Sequence, residues 1–583
     1  MDNHDAWVTS IKPIEKAFNA SPVSKINEDL LRLIFQTNVR VEATVPLYVY
    51  VDLMNRPLTT ARLSSQVCRS WRRLLLDSPS IWGRLIHLDS LDQKNNHWRE
   101  ELLRRTQSSP LWVTGNVTGS TENPTPVRVF FYYLLQNPKC WERIEKLEII
   151  VHGEDTSDSV WNTFLTPAPN LRIFEIYFPN VREPLFQNTI SPNSNKRLFG
   201  NHAPRLLEFH ADGIEFAVDS SWLSNLREIA TPSRLTVPEI LDLLLHMPLL
   251  ESFFLQFSEA TEEWLPSGIL PHIELPALTI MLLTNSLATC STLLEHMYPA
   301  KTCSLALTTN SYYAKKFISK DVLRSLKQNL PRYIHNYFST YISTRIRLRF
   351  FDDVFHFEDE SHRHTHHIFF TVCIYTKADS SEASENKVLT DFLLQVFAKC
   401  ALDSPSRFSS VTELSLDMRY ADTTSLPYFH SMLSSFPSVR NLKTNEDSVV
   451  FLCSLFNLQQ DEATGNRPST LFPHLQVLEL TYLDPDHYLL PDTIPGALLP
   501  FLKLKKESGQ PINTLDLRLC GSDTLRDIEF LEEIEGLEVL TLEGAVEESY
   551  ICGSGMPDKL RFRTRSGWNS PPPASSGTGV GYG

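Results

Sequence analysis

One spacing of apolar residues recurs along most of the chain: apolar-x-x-apolar-x-apolar. It occurs at Ile144/Leu147/Ile149, Leu171/Phe174/Ile176, Leu206/Phe209/Ala211, Leu250/Phe253/Leu255 and Leu278/Met281/Leu283. After a gap it returns at Val411/Leu414/Leu416, Leu475/Leu478/Leu480, Ile512/Leu515/Leu517 and Leu537/Leu540/Leu542, with weaker copies from Leu226, Thr302 and Val439. The last two positions of each copy alternate as in a strand with one buried face. Several copies share a lead-in: APNLRIFEI, MPLLESFFL, FPSVRNLKT and FPHLQVLEL. Helix-patterned segments lie between copies, such as VPEILDLLLHM (Val237 to Met247) and SLPYFHSMLSSF (Ser425 to Phe436). A short strand cannot bury its apolar face alone, but stacked strand-plus-helix units build one continuous core. Successive starts are mostly 20 to 37 residues apart, which overlaps the leucine-rich-repeat range. The pattern predicts a curved, leucine-rich-repeat-like α/β solenoid over residues 136–560; the other reading is a set of unrelated α/β strands. An irregular insertion is expected near 310–410, where STRIRLRFFDDVFHF and HHIFFTVCIYT read as two strands around an acidic, histidine-rich turn.

The first hundred residues follow another period. INEDLLRLIF places Ile26, Leu30, Leu31 and Ile34 at helical spacing, with Asn27 or Ser24 as the cap. Residues 37–60 hold Pro46 and Pro57 and read as an irregular connection. In LSSQVCRSWRRLLLDSPSIW (Leu63 to Trp82), Leu63, Val67, Trp71, Leu74 and Leu75 share about a third of a helical circle. Arg62, Arg69, Arg72 and Arg73 lie opposite. One amphipathic helix is expected there, ended at Ser78-Pro79-Ser80 because proline lacks an amide hydrogen. Ile81 and Trp82 open a second apolar patch. Trp98 to Arg105 predicts a helix and PLWVTGNV (Pro110 to Val117) a strand.

Glu-Asp-Leu-Leu followed by Ile-Phe, then Leu-Ser-Ser-Gln-Val-Cys-Arg-Ser-Trp-Arg, then Ser-Pro-Ser-Ile-Trp together resemble an F-box. The resemblance is strongest to the large fungal, basidiomycete-type F-box families, and it covers residues from about 24 to 90. Ile26-Asn27 stands where that family usually has Leu-Pro. The resemblance implies a small all-helical F-box that docks a Skp-type adaptor through Leu30, Leu31, Ile34, Val67, Trp71 and Leu74. It implies packing roles for Phe35, Cys68, Ile81 and Trp82. Through the adaptor it implies a cullin and a RING subunit, and so the non-catalytic substrate receptor of a ubiquitin ligase. A scaffold that binds the adaptor without directing ubiquitin transfer fits the same residues. The expected order is a flexible start (1–23), the F-box (24–90), a connecting helix and strand (91–135), the solenoid (136–560) and a low-complexity tail (561–583).

Charge changes this picture locally. The 583 residues carry a formal net charge of −15, which argues against a general nucleic-acid binder. From Arg62 to Arg84, five arginines and one aspartate give +4. The resemblance implies an acidic adaptor, and a basic rim would steer that encounter. In the repeats, residues between the apolar positions face outward, and many are acidic. Glu175, Glu208, Glu228, Glu413 and Glu479 are the candidates for contact with a basic protein client; plain solubility is the preferred reading of them.

The remaining chemistry is sparse. His356, His362, His364, His366 and His367 form either a metal-binding run, which would make the chain a metal-dependent enzyme, or a solvated turn, and the second reading is preferred, so no metal or other cofactor is expected. GTGVGYG in the tail lacks the strand and helix that a phosphate loop needs. Nine scattered cysteines include no Cys-x-x-Cys pair and suggest a reducing compartment, cytoplasmic or nuclear. No secretory leader and no membrane span are expected.

Overall fold

The structure is a computed structural model. It describes residues 26–38, 55–119, 124–152, 159–179, 185–186, 197–211, 213–231, 235–255, 269–309, 319–351, 354–362, 365, 368–375, 383–403, 407–418, 426–461, 471–481, 496–520, 528–543 and 546–561. It is a mixed α/β protein rich in parallel strand pairs, and it divides into two compact units, Met1–Trp222 and Leu223–Gly583.

The first unit begins with helices α1 (Glu28–Asn38), α2 (Asn55–Val67), α3 (Arg69–Leu76) and α4 (Pro79–Gly83). The stretch expected as one helix is therefore two. Cys68 sits between them in an extended conformation (φ −155°, ψ 168°), and its sulfur accepts the Trp71 N–H as the cap of α3. A side-chain acceptor at this position satisfies a donor that would otherwise have no partner in the first turn. The break changes the phase of the apolar residues: Leu74 and Leu75 are buried, while Leu63 and Val67 remain outside. Asn27 is the cap of α1, accepting the Asp29 N–H at 3.1 Å; Ser24 lies outside the described residues. The helix α3 ends before Pro79, which takes the first position of α4. There the fully buried Trp82 donates its indole N–H to the Leu75 carbonyl at 2.8 Å.

Next come β1 (Ile86–His87), α5 (His97–Thr106), β2 (Leu111–Val117), α6 (Pro126–Gln136), α7 (Pro138–Trp141), β3 (Ile144–Val151), β4 (Ile173–Tyr177) and β5 (Glu208–Ala211). These five strands pair in parallel in chain order. The strand β2, part of the expected connecting segment, is thus a member of the sheet. Gly115 in β2 has φ +110°, and a Cβ there would lie 2.5 Å from the Asp89 carboxylate. Register brings Val113, Leu147, Phe174 and Phe209 side by side in one buried row. Phe174 and Phe209 stack at 5.6 Å, and Phe199 meets Phe174 edge-on at 5.1 Å. Such ring pairs add to the area that they bury.

The second unit contains β6 (Glu228–Thr231), α8 (Val237–Leu245), β7 (Ser252–Leu255), β8 (Ile273–Leu275), β9 (Ile280–Thr284), α9 (Leu287–His296), β10 (Met297–Pro299) and β11 (Ser304–Thr308). It continues with α10 (Lys320–Thr340), β12 (Arg345–Phe351), β13 (Val354–Asp359), β14 (Phe370–Tyr375), α11 (Ala383–Asp403), β15 (Glu413–Met418), α12 (Leu426–Leu433) and β16 (Asn441–Thr444). It closes with α13 (Glu446–Asp461), β17 (Val477–Leu480), α14 (Leu498–Glu507), β18 (Thr514–Asp516), β19 (Glu538–Glu543) and β20 (Val546–Ile551). The strands β6, β7, β9 and β11 pair in parallel in that order, and so do β12, β15, β16, β17, β18 and β19. β8 and β10 form a separate parallel pair.

Between the two runs lies a three-stranded antiparallel meander. β14 joins β11, β13 pairs with β14 and β12, and β12 joins β15. The two strands expected here are three, because STRIRLRFFDDVFHF folds back on itself as β12 and β13. The meander's buried acid is satisfied: Asp359 accepts from the Tyr337 hydroxyl at 3.0 Å, the Ser343 hydroxyl at 2.6 Å and the Ser361 N–H at 2.9 Å.

Apart from the last copy, all positions of the nine full copies are buried. Leu414, Leu442, Leu478 and Leu515 align in one row. The last copy departs by one residue. Val539, not Leu540, is in register with Leu515, and Val539 and Thr541 are buried while Leu540 and Leu542 are half-exposed. With a side-chain period of two, a one-residue slip reverses the faces. The pairing of Val539 with Tyr550 and Thr541 with Glu548 on antiparallel β20 accompanies the slip.

Candidate functional site

The residues marked by the sequence fall into two groups. In the first, α1 rests against α2 and α3. It buries Leu31 and Phe35, and the Phe35 ring meets the Trp71 ring edge-on at 5.1 Å. This packing turns the other side of α1 outward, where Leu30, Leu33 and Ile34 are 55%, 57% and 43% exposed. On α2, Leu63 and Val67 are 60% and 64% exposed. Large apolar side chains left in water at helical spacing mark a surface with something still to bury.

The expected contact residues therefore separate. Leu30, Ile34 and Val67 are outside and Trp71 is half-buried, but Leu31 and Leu74 are core residues. Cys68, expected in the packing, is exposed because its sulfur is spent as a helix cap. Phe35, Ile81 and Trp82 are buried. Leu33 and Leu63 join the exposed set. Leu33 was legible as the i+3 neighbour of Leu30.

The arginines around these helices are unequal. Arg62 lies over the Trp98 ring at 5.4 Å and Arg84 over the Trp112 ring at 4.5 Å. Arg73 approaches Glu28 at 3.6 Å in an exposed pair. Arg69 and Arg72 are exposed and have no ion pair among the described residues.

The other marked residues lie on the open side of the strands of each unit, where acids stand beside bases. Glu413 binds Arg345 at 2.5 Å, Glu479 binds Lys443 at 2.6 Å, and Asp516 binds Arg518 at 2.7 Å. Arg347 holds Glu360 at 2.5 Å and Glu358 at 3.4 Å. In the first unit Glu175 faces His210 at 3.8 Å, and the buried Glu148 holds Lys146 at 2.5 Å. Burial pushes the Glu148 carboxyl up despite Lys146. Glu208 and Glu228 are half-buried on the same open sides of their sheets. Register places Arg345 beside Glu413, Lys443 beside Glu479, Arg347 beside Glu358 and His210 beside Glu175 on neighbouring strands, whereas Lys146–Glu148 and Asp516–Arg518 run along one stretch of chain, so the strands of each unit carry a mixed-charge ladder. The sequence showed its acids but not its pairings.

Of the histidine run, His364, His366 and His367 lie outside the described residues. His356 is on the open side of β13, with Nε2 at 3.6 Å from Glu358. Burial, with Arg349 and Arg347 nearby, lowers its pKa to about 4. Among the described residues no group of three or more His, Cys, Asp or Glu could hold a metal ion, and no helix is long and apolar enough to cross a membrane. The Cys290 and Cys303 thiols are pushed up to about 12 by burial, which opposes thiolate chemistry.

The chain matches no protein-family model, and no curated protein matches it in sequence.

Proposed function

We propose that this chain is the substrate-recognition subunit of a Skp–cullin–F-box ubiquitin ligase. In this reading residues 24–90 are an F-box and the strand-rich remainder is a leucine-rich-repeat-like solenoid that carries a protein client. One observation carries the proposal: α1 and α2 expose Leu30, Leu33, Ile34, Leu63 and Val67, and α3, packed against both, exposes Arg69 and Arg72, which have no ion pair among the described residues. An acidic adaptor with an apolar seat would bury the first group and meet the second. The arginines act mainly on encounter and register, and the apolar residues on affinity. Trp82 and the Phe35–Trp71 contact hold the helices that present this surface. The receptor performs no chemistry of its own. Holding a client lysine near a ubiquitin thioester raises its effective concentration.

The test is co-purification of the full chain with a Skp-type adaptor, comparing wild type with an Ile34→Asp, Val67→Asp double variant. Both positions are exposed, so the variant is expected to fold and melt like wild type. Loss of the adaptor from a folded variant is the expected result. A folded wild type that retains no adaptor refutes the proposal. If the adaptor binds but no cullin follows, the chain is an adaptor-bound scaffold.

A further inference from the structure

The second unit ends on an unusual strand. Among the described residues β20 pairs only with β19, so its other edge is open. The Cys552 N–H donates to the Leu537 carbonyl at 2.9 Å, and the Cys552 carbonyl accepts from Gly536 at 2.9 Å. Backbone groups alternate sides along an antiparallel strand. Those of Val546, Glu548 and Tyr550 therefore face β19, and those of Glu547, Ser549 and Ile551 face away. Among the described residues only the Ile551 carbonyl has a backbone partner outside the pair, the Ser554 N–H at 3.2 Å. The strand is exposed except at Tyr550, with Val546 at 62% and Ile551 at 54%.

This edge lies in the most acidic part of the chain. Residues 528–556 contain eight glutamates and no lysine, arginine, histidine or aspartate. Arg518 reaches Glu547 at 2.9 Å, Lys503 reaches Glu533 at 2.6 Å and Arg561 reaches Glu529. Glu535 and Glu548 have no ion pair among the described residues.

We propose that the open edge of β20 binds an extended, lysine- or arginine-rich peptide segment of a partner protein by adding it as a further strand. Strand addition satisfies the outward N–H and C=O groups of Glu547 and Ser549. Glu547 and Glu548 point to opposite faces, so alternate basic residues of the added strand meet a carboxylate in either phase. Two copies of this edge carry like charge and repel each other, which disfavours self-pairing. The proposal rests on the edge and its charge and does not depend on the adaptor reading.

The experiment uses the full chain and a fluorescein-labelled peptide alternating lysine and valine, read by anisotropy. A glutamate–valine peptide is the control. The lysine peptide is expected to bind, and to release at about 1 M salt, where the screening length is about 3 Å. Ser549→Pro removes an outward N–H that β19 does not use, and it is expected to weaken binding at least about tenfold; proline is tolerated at such edges. Ser549→Ala is expected to bind as wild type. Glu547→Lys with Glu548→Lys is expected to weaken binding at least as much as the proline. Amide exchange at Glu547, Ser549 and Ile551 should slow when the peptide binds, a readout that stands even if Ser549→Pro fails to fold. No binding by folded wild type overturns the proposal. So does binding without amide protection, which would be charge attraction without strand addition.

Discussion

On α2 and α3, Arg69 and Arg72 stand exposed without ion pairs among the described residues, and Leu63 and Val67 lie open on α2. On β12 and β16, Arg345, Arg347 and Lys443 each hold a carboxylate, as does Arg518 just past β18. Both regions are polar and exposed, and both carry arginine. They differ in what remains unsatisfied. The strand ladder pairs these charges across strands and along them, so a partner must break pairs to make pairs. The helices leave cations and apolar groups together, so a partner gains from both at once. A count of charged residues cannot distinguish these surfaces; cross-strand register can.

The largest expected effect tests the support of the helical surface. Trp82→Ala removes a side chain that is fully buried, hydrogen-bonded to Leu75 and covered by Arg105 at 4.6 Å from its ring centre. It should destabilise the first unit by about 3–5 kcal/mol. Chemical denaturation followed by tryptophan fluorescence measures this loss. A cost below about 1 kcal/mol would mean that the helices are held in another way.

The next effect concerns the ladder side and pH. The folded pKa of His356 is about 4, below the ordinary 6.5, so folding favours the neutral imidazole. Its contribution is complete above pH 6.5 and is lost as pH falls from 6.5 toward 4. Glu358, Arg347, Arg349 and Cys373 face it. Relative to His356→Phe, wild type should lose up to about 2 kcal/mol across this window, allowing for partial solvent access. Parallel stability curves for the two proteins would contradict this.

The smallest effect probes the pairing itself. Arg345→Glu should cost about 0.5–1 kcal/mol, because both partners are partly solvated. Adding Glu413→Arg should restore most of that loss. If the double variant is no more stable than the single, the ladder contributes packing and not charge.

Much of the strand architecture was legible, because the apolar triplet and its lead-in are local signals. Leu414, Leu442, Leu478 and Leu515 all hold the middle position of that triplet, and they align in the sheet. The last copy misled because Val539, Leu540, Thr541 and Leu542 fit a strand in either phase, and pairing with β18 and β20 chooses. The meander was only partly legible: its strands alternate like the others, but their direction is set by pairing partners far away in sequence. On the helices, 3.6-residue spacing continues from Leu63 to Leu74 across the break, so periodicity cannot detect that Cys68 caps a new helix. In α1, Leu31/Phe35 and Leu30/Leu33/Ile34 are both apolar rows, and only packing against α2 and α3 decides which is buried.

The most direct measurement is hydrogen exchange on the full chain with and without a saturating Skp-type adaptor. Slower exchange within residues 28–38 and 55–76, with β15 to β19 unchanged, is the predicted result. Protection of the strand ladder with no change in those helices would contradict the account.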